Sequence, residues 1–255
     1  MRRFCPLASG SSGNAIYLET NKSKILFDAG ISFKQLEKRL GEIGVNVNEI
    51  DAIVISHEHS DHTKGLEMVV KKLNIPVFCN SDTANAICQS MAVKPKLKIF
   101  LTGEDFHFND VEIHPFSIQH DTADPVGFTV KFDDLKIGIC TDVGFITKSV
   151  ENHLKWCDYL YLEANHDEDM VHSSSRPMIY KNRVLSRQGH LSNHSCGELL
   201  FNILHDKLKH VYLAHLSKEC NTPEVAIRTV RNFLNNDLSI SVAHPDKISH
   251  QIIFI

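Results

Sequence analysis

The hexapeptide His57-Glu58-His59-Ser60-Asp61-His62 constrains this chain more than any other stretch. It stands between two elements that the side-chain pattern makes legible. Before it, residues 51–55 read Asp-Ala-Ile-Val-Ile, the short β-branched run of a buried strand. After it, Leu66, Val69, Val70 and Leu73 recur at helical spacing. His57 and His59 are two apart, so on extended chain they point the same way and can hold one ion. Glu58 points the other way and is not counted as a ligand. Asp61 and His62 fall on the turn into the helix and can serve a second ion. Imidazole nitrogen together with carboxylate oxygen suits Zn, Mn or Fe.

One hexapeptide cannot complete two coordination spheres, so further ligands are expected at other strand ends. Three residues qualify. His120 follows the apolar stretch 111–118, Asp142 follows the strand 136–140 in Thr-Asp-Val-Gly, and His215 follows Val211-Tyr212-Leu213-Ala214. Strand ends are where sites collect in layered α/β folds. His114 and His107 compete with His120, but His114 lies inside that stretch and His107 precedes it.

The remaining pattern sets the architecture. Strands are expected at 14–19, 24–27, 75–79, 126–132, 159–162, 238–242 and 251–254. Ser32 opens a helix with Gln35 as capping partner, and helices are expected over 81–91, 147–156 and 192–206. Thr222-Pro223-Glu224 is a further helix start, with cap, proline at the first position and an acid in the first turn. Residues 163–189 show no clear period. Many strands form adjacent pairs rather than strict βαβ units, so two packed mixed sheets with helices outside fit better than a doubly wound sheet. With no linker or repeat, residues 1–255 read as a single α/β (α+β) domain.

Composition excludes several classes. No apolar run approaches the roughly 20 residues that cross a bilayer. The start Met1-Arg2-Arg3 has no apolar run after it, so no secretory signal is expected and the cytoplasm is the expected location. Seven dispersed cysteines without a CxxC argue against a disulfide framework or a four-cysteine zinc site. A net charge of −4 argues against a generally basic nucleic-acid binder, yet leaves room for a local track. Residues 170–197 contain no Asp or Glu but do contain Arg176, Lys181, Arg183 and Arg187, which can lie beside a phosphate backbone, and Tyr180, which can stack on a base. A plain solvated loop is the alternative. The Ser9–Gly13 segment is either a tight turn that offers backbone N–H groups to a site or a connector.

In type and order, His57, His59, Asp61, His62, His120, Asp142 and His215 resemble the motif set of metallo-β-lactamase-fold hydrolases. Asp28, in Leu26-Phe27-Asp28-Ala29-Gly30, resembles the first motif, whose acid supports the metal loop. The resemblance spans nearly the whole chain and implies a four-layer αβ/βα sandwich. It implies two divalent ions: His57, His59 and His120 on one, Asp61, His62 and His215 on the other, and Asp142 bridging. A bridging aspartate resembles glyoxalase II and ribonuclease Z rather than the commonest true β-lactamases, which carry cysteine there. Glu163-Ala164-Asn165 and Gly189-His190-Leu191-Ser192 resemble the paired acid and histidine segments of ribonuclease Z. His215-Leu216-Ser217 resembles the phosphodiesterase branch, which makes Ser217 a candidate substrate contact.

Together with Ser9–Asn14, these segments are most similar to the YycJ or WalJ subfamily, whose members are generally regarded as bacterial nucleases, often as 5′-exonucleases. Only 21 residues separate His120 from Asp142, too few for the long arm with which ribonuclease Z grips transfer RNA. The implied function is a phosphodiesterase acting on DNA or RNA through a metal-bridging hydroxide. His190, oriented by Glu163, would be the acid, and Asp61 a proton acceptor. A thiolester or lactone hydrolase of the glyoxalase II type is the alternative, and a non-catalytic module on the same fold a third. Nucleic acid is the expected partner, with no membrane, and a homodimer stays open.

Overall fold

A computed structural model describes residues 1–235 and 237–254. Its strands are β1 (Arg2–Ala8), β2 (Ala15–Glu19), β3 (Lys24–Phe27), β4 (Ala52–Val54), β5 (Pro76–Cys79), β6 (Lys96–Ile99), β7 (Phe106–Phe108), β8 (Val111–Ser117), β9 (Val126–Phe132), β10 (Leu135–Cys140), β11 (Tyr159–Glu163), β12 (His210–Ala214), β13 (Ser239–Val242) and β14 (Ile252–Phe254). Its helices are α1 (Phe33–Glu42), α2 (Ser60–Thr63), α3 (Leu66–Leu73), α4 (Ser81–Ser90), α5 (Lys148–Leu154), α6 (Glu168–Ser173), α7 (Met178–Val184), α8 (Asn193–Ile203) and α9 (Pro223–Arg231). The strands fall into two seven-stranded sheets. Two compact units result: one comprises residues 1–115, 122–125 and 243 onward, the other residues 116–121 and 126–242.

The first unit holds the sheet β14-β1-β2-β3-β4-β5-β6, antiparallel from β14 to β3 and parallel from β3 to β6. Strand β1 was not expected from its sequence, Arg-Arg-Phe-Cys-Pro-Leu-Ala. Two devices make it a strand. Arg3 is buried, but its Nε donates to Glu19 Oε2 at 2.6 Å and its Nη1 to the Ile43 carbonyl at 2.7 Å, so the charge is answered on the neighbouring strand. Pro6 sits where the β1–β2 register shifts, and a bulge spares a missing N–H. Helix α1 starts as its sequence suggests, with Ser32 Oγ accepting from the Gln35 N–H, and buries Phe33, Leu36 and Leu40.

The second unit holds β13-β12-β11-β10-β9, with β9 and β10 a hairpin and β10 to β13 parallel. Asp133 takes the left-handed conformation that the tight Asp133-Asp134 turn needs. Helices α5, α8 and α9 pack Val150, Leu154, Cys196, Leu199, Leu200, Ala226 and Val230 into the same apolar cluster as Leu160, Leu162, Val211 and Leu213. Residues 163–189, unpatterned in sequence, carry α6 and α7. Helices of six and seven residues are too short to display a period. Asp167 caps α6, and Pro177 stands at the cap of α7.

Among the described residues no helix is long and apolar enough to cross a membrane. All seven cysteines are free thiols, and all but Cys88 are buried. Burial pushes the Cys5, Cys79 and Cys157 thiols up to about 12, so they act as small apolar groups.

Parallel strands place successive strand ends at one edge of a sheet. In the first unit Asp28 follows β3, and Ser56 and His57 come shortly after β4. In the second, Asp142 lies just beyond β10, Glu163 ends β11, and His215 follows β12, with Cys140 opposite Leu162 and Glu163 opposite Ala214. Each unit therefore gathers polar side chains at the carboxyl edge of its parallel strands.

Candidate metal centre

The first unit builds its cluster around the buried carboxylate of Asp28. Its Oδ1 accepts from the Ser56 N–H at 2.9 Å, and the Ser56 hydroxyl lies 3.0 Å from both carboxylate oxygens. Asp28 Oδ2 stands 2.8 Å from His62 Nδ1, and Ser56 Oγ stands 3.0 Å from His57 Nδ1. The consistent proton assignment has His62 Nδ1–H donating to Asp28, and His57 Nδ1–H donating to Ser56, whose hydroxyl donates to Asp28. Both imidazoles then present Nε2 as a lone pair, the form that ligates a cation. The rings of His57 and His62 lie 4.0 Å apart and those of His57 and His59 5.0 Å apart. His62 Nε2 and Asp61 Oδ2 are 3.6 Å apart, a span that one ion with bonds of about 2.0–2.2 Å can bridge. Glu58 points elsewhere: its Oε1 accepts from the Ala123 N–H at 2.9 Å.

Backbone crossing makes this loop rigid. Asp61 O accepts from the Asn14 N–H at 2.7 Å, and Asn14 O from the Gly30 N–H at 2.8 Å. A Cβ at Gly30 would fall 1.6 Å from that Asp61 oxygen, so only glycine lets the three segments meet. The Asn14 amide Nδ2 reaches Asp61 Oδ2 at 3.2 Å and His62 Nε2 at 3.0 Å. The Ser9–Asn14 segment is thus a turn that ends on the site, its Gly10 N–H donating to Asn14 Oδ1 at 2.8 Å.

In the second unit the organising group is Glu163, which is fully buried. Its Oε2 accepts from the N–H groups of Val143 (2.8 Å) and Leu191 (3.1 Å). Its Oε1 faces His190 Nδ1 at 2.8 Å and His215 Nδ1 at 2.9 Å. Four donors face the carboxylate, whose oxygen also lies within 4.8 Å of atoms of Asp142, His190 and His215, a group that could hold an ion. Burial alone would raise the Glu163 pKa. The His190 charge and the His190 and His215 hydrogen bonds outweigh it, and the carboxyl is held well below the usual range. His120 is buried, with Nδ1 3.2 Å from the Gly189 carbonyl and Nε2 3.9 Å from Asp142 Oδ1, again a span one ion can bridge. Burial pushes the His120 pKa down, against the opposing pull of Asp142, which favours the neutral ligand form.

Three of these residues pay in backbone strain. Asp28, Asp142 and His215 have φ of 62°, 57° and 56°, left-handed values that non-glycine residues adopt at a cost of about 1–3 kcal/mol each. His215 is held there by Asn165, whose Nδ2 donates to the His215 carbonyl at 2.7 Å.

The basic stretch is less uniform in three dimensions than in sequence. Arg176 pairs with Glu219 and Arg183 with Asp121 at 2.8 Å, so acids from elsewhere in the chain meet it. Lys181 Nζ donates to the His172 carbonyl at 2.7 Å, and Arg187 lies 3.8 Å over the Phe145 ring. Tyr180 lies beneath Arg176 at 5.0 Å. Ser217 Oγ accepts from the Cys220 N–H at 3.2 Å, and its own N–H donates to the Asn165 carbonyl.

Sequence reasoning passes over Asn14, Ser56, Asn165 and His166 as site groups. Ser56 adjoins His57 and Asn165 stands two residues beyond Glu163, and a small polar residue just past an apolar strand is the available signal. His166 is buried and has no such signal. Burial lowers its pKa to about 4, with Glu163 pulling the other way.

Residues 23–215 match the family described as Beta-lactamase superfamily domain. The chain belongs to the β-lactamase superfamily. It is 35% identical over 233 residues to exodeoxyribonuclease YycJ of Bacillus anthracis, covering 91% of this chain and 88% of that protein. It is 37% identical over 245 residues to exodeoxyribonuclease WalJ of Streptococcus pneumoniae, covering 94% and 91%. The metallo-β-lactamase-fold protein YhfI of Bacillus subtilis superposes with a TM-score of 0.76 at 12% identity, over 98% of this chain and 100% of that one. That last likeness is one of fold. The α/β metallo-β-lactamase fold expected from the motifs is the fold of this chain.

Proposed function

We propose that this chain is a metal-dependent exodeoxyribonuclease. One observation carries the reading beyond the family: the Glu163 carboxylate holds the Nδ1 of two imidazoles at once, His215 in the interior and His190, whose side chain keeps 18% of its surface exposed. A histidine buried on an acid suits an ion. A histidine on the same acid, facing solvent, suits a substrate. The two relatives named exodeoxyribonuclease match this chain over nine tenths of its length or nearly so, and they support DNA as the polymer.

In this reading His57, His59 and His120 would hold one divalent ion, Asp61, His62 and His215 a second, and Asp142 would contribute to both sites. The donor set of imidazoles and carboxylates fits Zn, Mn or Fe. Such ions, when bound, acidify water and neutralise charge on a phosphodiester. The protein's own part is proton handling and positioning. With Nδ1–H fixed on Glu163, His190 offers Nε2 as the atom that passes a proton to the departing oxygen. We assign Asp61 the part of taking a proton from the attacking water. Arg176, Lys181, Arg183, Arg187 and Ser217 are assigned to the phosphate backbone. Exposed ion pairs such as Arg183–Asp121 are worth about 0–1 kcal/mol, so a phosphate can replace the carboxylate at little cost. Free buried thiols fit a reducing compartment, and we assign the cytoplasm.

The test is a digestion of end-labelled single- and double-stranded DNA and RNA by protein loaded with Mn or Zn. Stepwise release of nucleotides from a DNA end, lost with chelator and in Asp61→Ala, is the expected result. Hydrolysis of a thiolester with no cleavage of DNA would replace the reading with a carbonyl hydrolase.

A further inference from the structure

Beside the Glu163 cluster, and wholly within the second unit, lies a cavity of about 530 Å³ that no assignment above uses. One wall is the loop from Gly144 to Lys148, and the other is the face of α8 that carries Ser195, Glu198 and Asn202. Resting on the nuclease reading, we propose that this cavity receives a nucleobase of the bound DNA strand, stacked on Phe145 and read along its edge by Glu198 and Asn202.

Four observations point to a base. First, the volume falls in the range of small-molecule pockets, about 300–1,000 Å³. Second, Phe145 lines the cavity with 38% of its surface exposed, and Arg187 lies 3.8 Å from its ring centroid. An exposed ring with a guanidinium on it is a stacking platform that accepts any base. Third, the lining includes the carboxylates of Glu151 and Glu198. Glu151 is answered by Lys148 at 2.8 Å and Lys155 at 3.3 Å, while Glu198, 57% exposed at its side chain, has only His194 nearby at 3.8 Å among the pairs seen. This charge repels a phosphate and leaves a neutral base as the favoured occupant. A carboxylate accepts from exocyclic amino groups, and an amide both donates and accepts, as base edges require.

Fourth, the cavity is continuous with the chemistry. Leu191 lines it and directly follows His190, and Gly144 lines it two residues beyond Asp142. A Cβ on Gly144 would fall 2.5 Å from the Arg187 carbonyl oxygen and 2.6 Å from Gly189 N, and the Gly189 carbonyl in turn meets His120 Nδ1. The wall that would hold the base and the backbone that holds His120 and His190 are therefore one packed segment. A base seated there fixes its nucleotide relative to His190, so the cavity acts through substrate affinity rather than through the proton step.

The experiment compares Mn-loaded wild type, Phe145→Ala, Phe145→Trp and Asn202→Ala on single-stranded DNA. An abasic site is placed in turn at each of the first few nucleotides from the digested end. Wild type is expected to show KM raised about tenfold at one of these positions, with kcat little changed. Phe145→Ala should raise KM about tenfold on intact DNA and lose the distinction between intact and abasic strands. Phe145→Trp should retain it. Should the alanine variant fail to fold, Asn202→Ala carries the test, with a KM rise for intact DNA and none for the abasic strand. Equal KM for intact and abasic DNA in the wild type, with cleavage otherwise normal, overturns the base site and leaves the nuclease reading standing. If the wild type cleaves no DNA, the nuclease reading falls. Quenching of a 2-aminopurine oligonucleotide then decides the cavity: loss of quenching in Phe145→Ala supports it, and equal quenching overturns it.

Discussion

Replacing Glu163 by glutamine changes one buried oxygen to an NH₂ group and should disable metal binding without removing a ligand. The geometry dictates how the amide must sit. Two backbone N–H groups, of Val143 and Leu191, face Oε2, and they cannot turn. The amide oxygen must therefore stay on them, which leaves the NH₂ facing His190 Nδ1 and His215 Nδ1. Both imidazoles must then accept at Nδ1, which moves their protons to Nε2. A protonated Nε2 on His215 cannot ligate an ion, and His190 loses the carboxylate that holds its Nδ1–H. The Asn165 amide, 3.4 Å from His215 Nδ1, reinforces the switched tautomer. Charge-assisted hydrogen bonds are worth about 1.5–3 kcal/mol each against about 0.5–1.5 for neutral ones, so four weakened bonds should cost about 4–6 kcal/mol of stability. Loss of an outer partner typically lowers metal affinity about 10–100-fold. Competition against a chromophoric chelator measures the affinity, and thermal melting of the metal-free protein measures the stability. A Glu163→Gln protein that melts lower yet binds metal as tightly as wild type would refute the tautomer argument.

Other outcomes follow from the same geometry. Asp28→Asn should act on His62 as Glu163→Gln acts on His215, lowering metal affinity about 10-fold or more in the same chelator assay. Gly30→Ala forces a Cβ against the Asp61 carbonyl and should destabilise the fold by about 3 kcal/mol or more, read by denaturant melting. The His166 pKa of about 4 lies below its ordinary 6.5, so the unfolded chain takes up a proton the folded one refuses. Stability from this group is present above pH 6.5 and lost as pH falls toward 4, about 2 kcal/mol by pH 5. Melting curves of wild type and His166→Asn at pH 7.5 and 5 should converge at the lower pH, and a constant gap would contradict the assignment. Arg183→Ala should leave stability unchanged, raise KM for DNA a few-fold and reduce the salt slope of binding by about one.

The sequence carried those parts of the candidate site that chemistry places on short, regular spacings. His57, His59, Asp61 and His62 could be read because a strand end and a helix start bracket them, and Asp142 and His215 because each terminates an apolar run. Strand β1 was not legible, since its arginine and proline are acceptable only given Glu19 sixteen residues on and a bulge in the partner register. Helices α6 and α7 fell below the length at which a period shows. Asn14 was beyond reach for a different reason: its role comes from a crossing of backbones at Gly30, a contact that no local pattern encodes. The basic track shows why charge cannot be summed over one segment alone: Arg176 and Arg183 meet Glu219 and Asp121, acids that lie outside the stretch in sequence.

The most direct trial of the account is a count of metal. Protein purified and dialysed against Mn or Zn should hold two ions per chain by elemental analysis, with Asp142→Ala and His120→Ala each holding fewer while still folding. A wild type that retains no ion, or an Asp142→Ala protein that retains the full complement, would contradict it.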